Sequence, residues 1–482
     1  MTSNPFDRRA FLRVAATLPL LGSPFLNQAQ ALAAAAPAAA ADRPASHRRS
    51  PEDEAADAIA RRIRRPRIPR RDFRITDFGA VGDGTSDDTA AIAAAIARAS
   101  HCGGGRVVVP AGPTGAASYA TGAIRLRSRI ELHVEQGATL LFSTDPNAYL
   151  PVVFTRWQGI ECYNYSAPIY AFGETDVAIT GGGVLDGQAS TANWWAWKSL
   201  ETPDFNQLSA QADAGVPVAQ RIYGSGFHLP PTFIEPYNCE RVLIQGVTVR
   251  NSPFWHLHPT LCADVTIEGV TVHSNGPNTD GCDPESCDGV LIDSVTFNVG
   301  DDCIAIKSGR NTDGRRVNVP SQNIVIQNSS FAAGHGGVTI GSEMTGGVRN
   351  VYARDLTMNS PILQSGHRLK TNSVRGGFIE NSNVYRVTAG QIGGPVLLVD
   401  FNYGEGNTGT FPPNVTGISL KNWTVNTATQ GWDVAGYTTD PVGTILLQDV
   451  AIATMTGTNV AVNVSDFELV DVTINGAAVT TP

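Results

Sequence analysis

The sequence predicts an all-β chain wound as a right-handed parallel β-helix, with a short helix capping its N-terminal end. Three observations carry that expectation. Short runs rich in Val, Ile and Thr recur in one register: VLIQGVTVR from Val242, VTIEGVTVH from Val265, VLIDSVTFN from Val290, IVIQNSSFA from Ile324 and VYARDLTMN from Val351. Their steps of 23, 25, 34 and 27 residues are too irregular for propeller blades and too short for strand–helix–strand units. The runs alternate apolar and polar residues and are punctuated by Gly, Asn, Asp and Ser, with Gly reaching 49 of 482 residues. One such unit cannot bury its own apolar face, so neighbours must stack. A β-sandwich is the structural alternative, but antiparallel strands have no need of a matched register in successive units.

From the N-terminus, DRRAFLRVAATLPLLG places Arg8 and Arg9 before a short apolar run, and AQALAAAA follows with small residues suited to cleavage. The run is too short to span a bilayer. Residues 1–41 therefore read as a removed export signal of twin-arginine type, which places the mature protein in the periplasm or outside the cell. No other stretch reads as a transmembrane helix, so no membrane association is expected once the signal is removed. Residues 42–71, with RRIRRPRIPRR, read as a solvated Arg/Pro/Ala-rich tether, and 72–482 as one catalytic β-helix domain. Residues 1–71 carry 13 basic and 6 acidic side chains, or +7 of the net −9, so the remainder carries −16. An acidic body argues against a nucleic-acid partner.

The seven cysteines, an odd number, leave at least one thiol unpaired. Cys239, Cys262 and Cys287 each stand three residues before a Val that opens a triplet, which suggests an inward ladder of small residues. None has zinc-site spacing. DFGAVGDGTSDDTAAIAAAIARAS, within Asp72–Ser100, ends in a helical pattern with Asp87 or Asp88 as first-turn acids; this is the expected cap. Its GAVGDG lacks the spacing of a phosphate loop and reads as a turn. Further echoes of the repeat stand at Asp176, Gly417 and Asp466. The largest interruption, Gln188–Pro231, contains NWWAWK (Trp194, Trp195, Trp197): loop packing, or a wall at one end of a sugar-binding groove.

The chemistry concentrates in NTDGCDPESCDGVLIDSVTFNVGDDCIAIKSGRNTDG, which holds NTDG twice with GDD between. Asp280 lies 21 residues before Asp301, close to one coil, so the two are expected to stack as neighbours on adjacent rungs, with Asp302 bent to the same side. Ile304 and Ile306 should point inward and Lys307 outward. The second NTDG, with Asp313, falls in a polar loop and reads as a turn. Downstream, AAGHGG sets His335 between glycines, and HRLKTN puts Arg368 and Lys370 on one strand face with Leu369 inward. Each residue alone is explained as turn, surface or satisfied polar group; together at coil spacing they point to a site. Two carboxyls can serve as proton donor and water activator in glycoside hydrolysis, crowding raises one pKa, and the Arg/Lys pair implies an anionic sugar.

The ordered set NTDG, GDD, GHG and R-L-K resembles glycoside hydrolase family 28, the polygalacturonases, over roughly Phe73 to Tyr403. NSPFWHLHP (Asn251–Pro259), IGSEMTGG (Ile340–Gly347) and PSQNIVI are similar to its bacterial, exo-polygalacturonase-like branch. The resemblance implies a pectin-lyase-like right-handed solenoid and an inverting hydrolase of α-1,4-galacturonide bonds in pectin or oligogalacturonides, without metal or cofactor. It implies Asp301 as general acid, Asp280 and Asp302 as holders of the attacking water, and His335 as a tuning residue. Arg368, Lys370 and Tyr403 would contact the sugar, and Asn278 and Lys307, which flank the acids, are further substrate-binding candidates. Leu369 stands where the family has Ile. Exo action is the leading expectation. Endo cleavage and rhamnogalacturonan or substituted galacturonan substrates stay open, and a pectate lyase or a non-catalytic sugar-binding β-helix is disfavoured by the intact acid set.

Overall fold

The computed structural model describes residues 49–482, and the export-signal expectation lies outside them. Successive coils stack in parallel into a right-handed β-helix. Along one long sheet the apolar column Ile130, Val177, Val242, Val265, Val290, Ile324 and Val351 pairs rung on rung, then continues through Ser382, Ile418, Ile445 and Phe467. Each triplet thus sends its first and third side chains inward, where Val242, Ile244, Val265, Ile267, Val290 and Ile292 are buried. The Cys ladder also stands: Cys239, Cys262 and Cys287 are buried, with the Cys239 amide donating to Cys262 Sγ at 3.4 Å. All seven cysteines are free thiols.

Strands on the long sheet lengthen towards the C-terminus, as in Val348–Ser360, Phe378–Ile392 and Asn414–Ala428. They turn corners at left-handed residues such as Asn350 and Asp355, where the short polar side chain tolerates positive φ. A second sheet carries Ile304–Ile306, Gly336–Ile340, Ser365–Lys370, Pro395–Asp400 and Gln430–Ala435. Bridges continue it N-terminally through Cys282 and Leu257 to Ile234. This groove sheet carries the site.

The segment expected as a solvated tether is instead built into the domain. Helix α1 (Pro51–Arg62), N-capped by Ser50, buries Ala56 and Ile59 against Val325, Tyr352 and Tyr385. Asp53 accepts from Arg354 and Arg386, Asp57 from Arg354, and Glu52 from Lys421, so one helix ties three coils. Arg64 then pairs with Glu240 and Asp264, and the Arg67 amide donates to Asp176. Of the arginines that look like a basic run in sequence, Arg64 and Arg65 pair with acids along the long sheet, Arg65 with Glu268. Helix α2 (Thr89–His101) is the expected cap, burying Ala91, Ile92, Ala95, Ile96 and Ala99 in the main core at its N-terminal end. Asp88 spends its carboxylate on the Val81 and Gly82 amides of the preceding turn rather than on the helix. No described helix is long and apolar enough to cross a membrane.

Candidate active site

The register across the acids differs by one from the sequence expectation. A bridge pairs Cys282 with Ile304, a step of 22, so Asp280 stands against Asp302 rather than Asp301. The chain bends at Asp301–Cys303, with the Asp301 carbonyl accepting from the His335 amide and the Cys303 amide donating to Gly336. The bend brings one carboxylate oxygen each of Asp280, Asp301 and Asp302 within 4.8 Å of one another. A Cβ at Gly336 would sit 2.9 Å from Asp302 Oδ1 and 3.2 Å from Arg368 Cδ, so the glycine there lets the site close up.

The three acids have distinct surroundings. Asp302 is buried, with Oδ1 accepting from Arg368 at 3.1 Å and Oδ2 from Lys370 at 2.5 Å. Asp280 is buried, its Oδ2 lying 3.6 Å from Lys307 Nζ and its Oδ1 without a hydrogen-bond partner among the described residues. Burial first, and then the charge of Asp301, push its carboxyl up to about 7. Asp301 is the reachable member, its side chain 19% exposed against 4% for Asp280 and 0% for Asp302. Burial works against its ionised form, but the His335 Nδ1 hydrogen bond at 2.9 Å prevails and holds Asp301 down to about 2. The same bond raises His335 above its ordinary value. Lys307, His335, Arg368 and Lys370 supply the counter-charge that three crowded carboxylates require.

Arg368 and Lys370 stand as expected, with Leu369 buried in the core between them. Tyr403 closes over both, its ring 5.1 Å from Lys370 Nζ and 5.9 Å from Arg368. Asn278 lies at the rim and accepts from Lys198 at 2.6 Å. Lys307 leaves the solenoid interior as expected but does not reach the groove. It is 2% exposed, beside Asp283 and Glu343 at 3.3 and 3.4 Å and 4.1 Å above the Trp255 ring. It holds the floor of the site together, and a substrate-binding role for it is withdrawn.

The second NTDG also needs correction. It opens helix α4 (Asn311–Val317, numbered after α3, Glu201–Asp213), and Asp313 is buried rather than a polar turn. Its carboxylate accepts from Arg221 at 2.7 Å, Arg316 at 2.9 Å and the Glu161 amide at 2.8 Å, pinning two insertions to the solenoid. Both motifs start with a left-handed Asn, so the likeness is one of local backbone.

Several residues of the site escape a reading by spacing. His256 fixes the Asp280 carbonyl through Nδ1 at 2.8 Å. Asp283 and Glu285 alternate outward after Asp280, a period-2 signal visible in CDPES. An antiparallel hairpin, Val153–Trp157 with Ile160–Asn164, carries no repeat signal at all. It lies over the groove sheet beside the acids, from Glu235 to Arg310 in the coil of Asp301 and Asp302, where the Arg310 amide donates to the Gly159 carbonyl at 3.0 Å. Thr155 donates to Glu235 at 2.5 Å, Arg156 to Glu285 at 3.1 Å, and Tyr237 to Glu161 at 2.6 Å. Outward rows that an open groove would offer to sugars are thereby buried. The Trp-rich insertion packs behind: Trp194 lies against Tyr149 and Trp197, and Phe205 against Trp157. Trp194 is buried loop packing, whereas Trp195 and Trp197 are half-buried.

A sequence model described as "Glycosyl hydrolases family 28" matches residues 223–469, and one for "Rhamnogalacturonase A/epimerase, pectate lyase-like" matches 73–113. A probable polygalacturonase of Vitis vinifera is 29% identical over 396 residues, 78% of this chain and 73% of its own. An exo-poly-alpha-D-galacturonosidase of Dickeya chrysanthemi is 26% identical over 391 residues, 74% of this chain and 62% of its own. The chain also spans 64% of the length of a Ralstonia solanacearum polygalacturonase. Among solved structures, an exopolygalacturonase from Thermotoga maritima superposes with a TM-score of 0.83 at 39% identity, covering 88% of this chain and 96% of that one.

Proposed function

Because the chain belongs to glycosyl hydrolases family 28, we propose that it hydrolyses α-1,4-galacturonide bonds of pectic chains from one chain end, with inversion. The observation that carries the exo reading is the hairpin Val153–Asn164, clamped by Arg156 on Glu285 and Thr155 on Glu235, which covers outward rows of the groove sheet beside the acids. The T. maritima exopolygalacturonase, similar over 88% of the chain, supports it.

The free site keeps one proton near neutrality, since Asp280 is pushed up to about 7. We assign its delivery to Asp301, the member a leaving oxygen can reach, the proton passing to Asp301 from Asp280 within the cluster, whose oxygens lie within 4.8 Å of one another. As the C1–oxygen bond breaks, the leaving oxygen takes the proton. A water held between Asp280 and Asp302 attacks C1 from the opposite face and gives its own proton to a carboxylate, restoring the count. Arg368 and Lys370 grip the sugar carboxylate while remaining bonded to Asp302, so substrate charge and base are positioned by the same two side chains. The closest carboxylate oxygens lie within 4.8 Å, shorter than the roughly 6.5–9.5 Å usual for inverting pairs; inversion is therefore proposed on the family resemblance. Export through the twin-arginine-type signal belongs to the same proposal.

Proton NMR of fresh digests of trigalacturonate, with EDTA present and ultraviolet absorbance followed in parallel, tests the chemistry. The expected first product is the β-anomer with no absorbance gain. An α-anomer first would mean retention, and an absorbing unsaturated product would mean elimination.

A further inference from the structure

The lysine and arginine side chains already placed at the acids are paired and largely buried. Side-chain exposure is 3% for Lys307, 7% for Lys370, 12% for Arg310 and 13% for Arg368. Lys198 is 49% exposed, and its Nζ stands 2.6 Å from Asn278 Oδ1 and 2.6 Å from Glu201 Oε1. It belongs to the insertion that backs the closed end of the groove, and Asn278 lies two residues before Asp280. The acids are therefore flanked by Arg368 and Lys370 on the C-terminal side and by Lys198 on the closed side.

The surroundings of Lys198 are built to hold it there. Trp194 is buried against Tyr149, the Trp195 indole N–H donates to the Ser252 carbonyl at 2.9 Å, and Trp197 packs on Tyr165 and His228. Three anchored indoles fix a 3-10 turn (Trp194–Ser199) whose polar payload is the lysine. A lysine only donates, so Asn278 must turn its oxygen to Nζ and its amide N–H groups elsewhere. No described protein group accepts from them, which leaves two donors beside an exposed ammonium.

We propose that Lys198, acting with the Asn278 amide that it orients, reads the carboxylate of the chain-end galacturonate on the closed side of the scissile bond. This rests on the exo-hydrolase reading and deepens it. That reading names the bond cleaved; Lys198 names the charge that the terminal sugar must carry. Glu201 sets the specificity as much as the lysine does. It partners Nζ when the pocket is empty and rejects a second anion, so that one carboxylate is accepted and a polyanionic chain is not drawn deeper.

The test compares trigalacturonate with its analogue methyl-esterified only at the non-reducing terminal residue. Wild type should prefer the charged end. Lys198→Met should raise KM for trigalacturonate about tenfold, the worth of one charge-assisted hydrogen bond, with kcat changed less than about twofold. Its preference for the charged end should fall by the same factor. Lys198→Gln keeps a donor for Asn278 without the charge and should lose the preference as well, whereas Lys198→Arg should keep most of it. Unchanged preference in the Met and Gln variants, in a protein that still hydrolyses from the chain end, overturns the inference alone. No hydrolysis by wild type overturns the functional reading and this inference with it.

Discussion

Outward side chains on the long sheet meet water and bond one another in short ladders, Asp288 to Gln322 to Arg349 and Asp293 to Gln327 to Arg354. On the groove sheet the same coils send out Glu235, Asp283, Glu285 and Lys307, and all four are buried. Backbone and rung spacing are shared, yet one face is an exposed repeat and the other a covered array of charge. The first can absorb a substitution at a cost set by packing. The second holds ionisable groups out of water around the shared Lys307 ammonium, and it carries the chemistry. The comparison teaches that periodicity builds this molecule while departures from it make the site.

The sharpest break falls on the acids. Asp301→Asn should lower kcat about 10²–10⁴-fold. Asp280→Asn should lose activity comparably while gaining stability as pH rises towards about 7. The Asp280 carboxyl is raised to about 7 in the folded site. Its favourable contribution is therefore complete below the unfolded carboxyl value and is lost as pH climbs through that folded value. Thermal melts of both variants between mildly acid and mildly alkaline pH, beside initial rates, would check this. A stability loss in Asp280→Asn would contradict the account of the cluster.

Next comes the contrast between floor and core. Lys307→Met leaves Asp280, Asp283 and Glu343 without their shared cation and should cost about 3–5 kcal/mol, with activity falling as well. Ile292→Ala, at a buried position of the apolar column, should cost about 2–5 kcal/mol and leave KM unchanged. Denaturant unfolding with kinetics on the folded fraction separates the two; equal effects on KM would erase the distinction between the faces.

The column was legible because inward positions of each coil must be apolar, and that constraint repeats. Coils that escaped include Ile130–Val134, Phe378–Ile392 and Val442–Met455: Ser382 occupies a column position in the second, and TILLQDV lacks the V-x-I form in the third. The catalytic set was legible because it sits at coil spacing, although a bend displaced the Asp280 partner by one residue. What stayed hidden depends on contacts distant in sequence. Arg156 meets Glu285 across 129 residues, Arg354 meets Asp53 across 301, and Arg221 meets Asp313 across 92. Any of these reads singly as a solvated charge.

A smaller effect tests the α1 contacts. Asp53 is held down to about 2, against the desolvation that opposes it, by Arg386 and Arg354. Its contribution is therefore present above the unfolded carboxyl value and fades as pH falls towards about 2. Asp53→Asn should cost about 1–3 kcal/mol at neutral pH, shrinking in acid, without changing kcat. Melting curves across that range would show it.

The central claim is that the hairpin Val153–Asn164, by covering the groove sheet beside the acids, makes the enzyme work from a chain end. A product time course on polygalacturonate, resolved by chain length and run beside viscosity, tests it most directly. The account predicts short saturated product from the earliest time points with viscosity nearly unchanged. A rapid fall in viscosity with oligomers of mixed length would mean that the chain passes the hairpin, and would contradict it.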